Sequence, residues 1–232
     1  MVPSSPLAPD PTPDPAAPPA PDAPQAEDRS SGPLLSLLAR GLELWLRQQC
    51  DAIRDLDIAL EGSMGQLLRG HLQGVRLRAR EVVFQDLCLE QVDLSSDPLR
   101  LKVSGVLRGQ SLRLEHPFHV RGCVRLTGEW LSRSLLTPAW QGLGDLLSER
   151  LLGVTPLESV ALRGDRLLLR AQAPQGPTEV ETHMRLTAEG LLVCPLDGSP
   201  PLPLPMDEAI TLDRAEVSGG CLELAGVALV RP

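Results

Sequence analysis

Tyrosine is absent from this 232-residue chain, and tryptophan and phenylalanine together number five. Aromatic side chains ordinarily supply much of the volume of a compact core. Here leucine must supply it, with 46 residues, about a fifth of the chain. That composition suits an ordinary core, and equally a wall that faces something fluid. Long apolar runs are missing as well. None approaches the ~20 residues of a membrane span. Paired cysteine spacings are missing too: the five cysteines, at 50, 88, 123, 194 and 221, are odd in number and widely separated. The start of the chain has no basic region followed by an apolar run. These features predict reduced thiols in a cytoplasmic protein, at most peripheral to a membrane.

Catalytic signatures are equally scarce. There is no glycine-rich phosphate loop before a helix, no G-x-S-x-G elbow and no H-E-x-x-H. His116, His119 and Cys123 in "HPFHVRGC" look ligand-like. However, Pro117 keeps the pair extended, and strand residues three apart face opposite sides, so surface histidines near a turn are expected. Asp55, Asp57 and Glu61 read as border residues of a helix end and a strand. No catalytic residue, metal site or cofactor is expected.

Residues 1–32 hold ten of the 23 prolines and five acids against one arginine, half of the net charge of −8. They cannot bury enough surface to offset ordering entropy, so a disordered Pro-rich acidic tail is expected there. Residues 33–232 are then long enough for one domain.

The spacing predicts a long helix over 33–55. Ser36, Arg40, Glu43, Arg47, Asp51 and Arg54 form one narrow polar stripe. The remaining arc is apolar and wider than a surface helix needs. From Leu56 the period changes to two. "GVRLRAR" sets Val75, Leu77 and Ala79 against Arg76, Arg78 and Arg80. Val83, Leu87 and Leu89 share one parity and Val92 and Leu94 the other, which predicts a curving bulge near Glu90 or Gln91. Residues 129–152 return to helical spacing, split by Pro138 into two short helices. After Thr155, five or six more strands with Gly-containing turns suggest an antiparallel meander. The expected class is α+β. The expected architecture is a long N-terminal helix packed on a curved antiparallel β-sheet, two short helices mid-chain and a second antiparallel strand run.

Between Leu67 and Arg125, ten Arg or Lys residues face six acids. Such a patch suits phosphate of lipid or nucleic acid, or is a plain solvated sheet face. Nucleic acid is not expected as a partner, because aromatics are not interleaved with the arginines.

The helix ending in "WLRQQ" before "DLDIALEG" resembles the bacterial LmeA-type phospholipid-binding family. So do "LLRGHLQGVRLRAREVVFQDLCLEQVDL", "GVLRGQSLRL" and "VRLTGEWLSRSLLTP". The resemblance is good over about residues 34–150 and looser beyond. It implies a fold like the tubular lipid-binding proteins, with a helix along a curved sheet over an apolar groove. It gives no catalytic residues. It implies non-catalytic binding, or transfer, of a phospholipid or similar acyl lipid, at or near a membrane surface. The expected acyl lining is Leu38, Leu42, Trp45, Leu46, Val75, Leu77, Leu87, Leu99, Leu101, Val103 and Val124. The expected headgroup contacts are Arg76, Arg78, Arg80, Arg100 and Lys102. The alternative is a protein-interaction module with a closed core.

Overall fold

The computed structural model describes residues 33–102, 113–114 and 116–231, with only the backbone of residues 33, 34, 101, 102, 113 and 114. The expectations for the tail, for Val103 and for the side chains of Leu101 and Lys102 lie outside the described residues.

Helix α1 (Pro33–Gln49) is followed by β1 (Ala52–Glu61). A short helix, α2 (Met64–Leu68), and β2 (His71–Leu72) lead into β3 (Gly74–Phe84) and β4 (Leu87–Ser96). Next come β5 (Leu99–Lys102), β6 (Arg113–Leu114) and β7 (Phe118–Thr127), then α3 (Gly128–Leu135) and α4 (Gln141–Leu152). A meander follows: β8 (Leu157–Arg163), β9 (Arg166–Ala173), β10 (Gly176–Thr187), β11 (Gly190–Pro195) and β12 (Leu202–Pro203). The hairpin β13 (Ile210–Ser218) and β14 (Cys221–Val230) closes the order.

The class is α+β with antiparallel sheets, as the alternation predicted. A six-stranded sheet runs β1-β3-β4-β7-β14-β13, and a five-stranded sheet runs β12-β11-β10-β9-β8. β2, β5 and β6 form a small third sheet. The final hairpin differs from expectation. It does not extend the second strand run, but returns to pair β14 with β7 in the first sheet.

The first helix is shorter than the predicted 33–55: it ends at Gln49, and Ala52 already belongs to β1. The cause is a shared change of face. Ile53 and Leu56 of β1 both point into the core, three residues apart. Ala79 and Val82 of β3 do the same, and so do Leu89 and Val92 of β4. A three-residue apolar step imitates a helical period, although here it lies in strands. Between the steps lie Arg54, Glu81 and Glu90, which are missing from the ladder while the pairing on both sides keeps one register. Glu81 has φ 48°, a left-handed conformation that side chains rarely adopt, and Arg54 pairs with its carboxylate. The curving bulge expected at Glu90 or Gln91 is therefore replaced by a face switch centred on Glu81 and spread over three strands.

α3 fastens the two large sheets together. Thr127 caps it by accepting from the Trp130 N–H at 3.3 Å. Ser132 Oγ accepts from Val160 N–H of β8 at 3.0 Å, and Ser134 Oγ accepts from Cys88 N–H of β4 at 2.8 Å. Ser134 in turn donates to the Trp130 carbonyl at 2.8 Å. Around these ties, Leu135, Leu147, Leu157, Leu167, Leu169 and Val193 form a core between the short helices and the meander. Pro138 lies between α3 and α4, as predicted, and Gly153 ends α4 at φ 73°.

Ser134 is fully buried, so Ser134→Ala strands the Cys88 N–H without a partner. The expected loss is about 1–3 kcal/mol of unfolding free energy, measured by chemical denaturation. Ser134→Thr, which keeps the hydroxyl, should recover part of it.

Candidate functional site

The six-stranded sheet has one apolar face, and its cover thins row by row. At the α3 end, Val82, Leu89, Leu126, Val217 and Leu222 are all buried. In the next row, across Leu56, Ala79, Val92, Val124, Leu224 and Ala215, only Ala79 and Val92 are buried. In the row after that, Ile58, Leu77, Leu94, Gly122, Gly226 and Leu212 are all half-buried. Further out, Leu60 is buried under α1, Val75, Ser96, Val120 and Ala228 are half-buried, and Ile210 is 44% exposed. The glycines in the third row reflect close approach. A Cβ on Gly226 would lie 2.2 Å from the Thr211 carbonyl, beside the irregularity between Leu212 and Arg214.

α1 covers the β1 side of this face. Leu35, Leu38, Ala39 and Leu42 pack with Ile58, Leu60, Val75 and Phe118, and with Leu67, Leu72 and Leu99 beside them. Thus Leu38, Leu42, Val75 and Leu99 of the expected lining meet in one cluster. Leu77, Leu87 and Val124 meet in another, and Leu46 is half-buried on α1. Trp45 is 53% exposed and joins neither cluster. The sequence reading missed Leu94, Val120, Leu212, Leu224 and Ala228. The last three lie on β13 and β14, whose place in the first sheet no local pattern announces. The alternation of Leu222 and Leu224 was their only available signal.

The expected headgroup arginines lie elsewhere. Alternation puts Arg76, Arg78 and Arg80 on the outer face of β3, opposite Val75 and Leu77. Arg76 pairs with Glu61 at 2.7 Å and Arg78 with Asp93 at 3.3 Å, while Arg80 stands across from Asp55 on β1. Arg100 is exposed beside buried Leu99. A cleft of about 500 Å³ opens on this side, lined by Arg47, Arg54, Asp55, Leu56, Asp57, Arg78, Ala79 and Arg80. Both signs of charge border it, and it meets the apolar rows only at Leu56 and Ala79.

Further along the outer face, Glu223 takes Arg125 at 3.1 Å and also pairs with Arg214. The hydrogen bond from Arg125, joined by the charge of Arg214, holds its carboxyl below the usual glutamate range. Burial first, and then the charge of Glu223, push the Cys123 thiol up. Burial does the same for Cys50, beside Asp51. Among the described residues no three His, Cys, Asp or Glu side chains gather into a metal site. No described helix is long and apolar enough to cross a membrane.

The LmeA-like phospholipid-binding family matches residues 30–227 of the 232. The chain belongs to this family. No curated protein and no solved structure matches it. As an LmeA-like protein it belongs to a phospholipid-binding family.

Glu223 gives up its proton more readily folded than unfolded. Its pairing therefore contributes stability above the ordinary range, about pH 4.3, and loses it as pH falls through the lowered folded value. Thermal melts from neutral pH to about pH 3 should show a shallower acid decline for Glu223→Gln than for the wild type.

Proposed function

We propose that the chain binds one phospholipid, or a similar acyl lipid, without catalysis, in a groove between α1 and the half-buried rows of the six-stranded sheet. Residues 33–232 act as the lipid-binding unit, at or near a membrane surface. One observation carries this reading: the apolar face is closed at the α3 end and opens progressively through Val124, Leu77, Leu94, Leu224 and Val120. Acyl chains are flexible and tolerate such a lining without exact polar contacts. Each buried methylene contributes about 0.8 kcal/mol, so roughly ten are enough for micromolar affinity. The outer arginines have no part in the groove, and phosphate contact falls to groups at its mouth.

A closed-core protein-interaction module is the second reading. It is favoured by the tight packing of Leu35 on Leu60, Leu67 and Leu72 under the start of α1.

Native mass spectrometry of the purified protein should find co-purifying phospholipid. Leu94→Asp and Leu42→Arg should each lower uptake of a fluorescent phospholipid by at least about tenfold, since a charge in a hydrocarbon lining is poorly tolerated. Lipid-free protein that takes up no analogue would defeat the groove and favour the second reading.

A further inference from the structure

α1 has a second apolar face, which the groove does not use. Leu37, Leu44 and Trp45 are 65%, 61% and 53% exposed, on a helix whose opposite side is packed against the sheet. Spacings of seven and eight place them on one side of the helix. Gly41 lies between them, and a Cβ there would meet nothing within 4 Å. Arg40 flanks the strip and has no ion-pair partner among the described residues. Arg47 stands one turn past Glu43 and is paired with it at 3.1 Å. α1 therefore carries net positive charge on a chain of net charge −8.

We propose that this outward face of α1 is the surface by which the protein lies on a bilayer containing anionic phospholipid. A helix with leucine and tryptophan on its exposed side and arginine at the flank fits the boundary between headgroups and acyl chains. The flanking Arg40 complements an anionic headgroup layer. A second copy is the weaker occupant. A stable dimer buries about 800 Å² on each partner, over some 20–30 residues, and this strip has three exposed apolar side chains. The inference rests on the lipid-groove reading for its purpose, because the inner face of the same helix covers the groove and docking would bring a lipid source alongside it.

The test uses full-length protein co-sedimented with phosphatidylcholine vesicles, with and without phosphatidylglycerol. In parallel, uptake of a short-chain phosphatidylglycerol is measured below its micelle concentration, where no bilayer exists. Wild type should sediment with the anionic vesicles. Leu37→Glu combined with Leu44→Glu should lower its vesicle partition at least about tenfold and leave short-chain uptake unchanged. Arg40→Glu should weaken binding to anionic vesicles only. Wild type that does not sediment, or a double variant that sediments equally well, overturns the proposal. So does a dimer that the double variant splits, which would assign the face to a second copy. Sedimentation only after proteolysis removes residues 1–32 would assign it to the tail and also overturn the proposal. Vesicle binding without short-chain uptake would uphold the docking face and sink the groove.

Discussion

At Arg54, Glu81 and Glu90 three neighbouring strands change face together without losing register. Side chains that would otherwise point outward beyond this level are brought inward. Ile53, Val82 and Leu89 thereby join Leu56, Ala79 and Val92 in one core. A slip in a single strand would have flipped only that strand and broken the pairing. Because all three shift at the same level, the ladder survives and the apolar face stays continuous. The left-handed Glu81 is the local cost, and the Arg54 guanidinium beside its carboxylate helps to hold it. α3 then seats on the end that this switch creates, with Ser134 tied to Cys88 and Ser132 to Val160.

Much of the strand content was legible in the sequence because period-two alternation is a local signal. Val75, Leu77 and Ala79 face inward as read, and the meander after Thr155 pairs in chain order. The helix end was misplaced for a local reason: the Ile53–Leu56 step has the spacing of a helix turn. The β13–β14 hairpin was misplaced for a non-local one. Its pairing with β7 spans about a hundred residues, and nothing within "CLELAGVALV" says which sheet receives it.

The candidate site divides along the same line. Apolar positions on α1, β3 and β7 could be chosen from period alone, and Leu38, Leu42, Leu77 and Val124 do face the sheet interior. The arginines could not serve the same site, because the alternation that makes Val75 and Leu77 inward makes Arg76, Arg78 and Arg80 outward. A basic stretch and an apolar stretch that interleave in sequence are separated by a sheet's thickness in space. Trp45 illustrates the helical version of the problem. A wide apolar arc on α1 shows that two sides are greasy, but only packing tells which of them meets the sheet.

Helix width explains why part of the sheet remains open. An α-helix with its side chains is about 10–12 Å across, and neighbouring strands lie about 4.8 Å apart. One helix therefore covers two or three strands of six. α1 sits over β1 and β3, with Leu35 and Leu42 on Ile58, Leu60 and Val75. α3 covers β4 at the far end through Ser134 and Leu131. Of β7, β14 and β13, only Phe118 of β7 joins the α1 cluster, and Val120, Val124, Leu224, Ala228 and Leu212 stay half-buried. Large aromatic side chains could have bridged that gap from the sheet side, but the chain has few, and Trp45 of α1 is more than half exposed. The scarcity of aromatics and the half-buried state of these rows are thus one property: small and branched side chains on a wide sheet are not fully covered by a short helix.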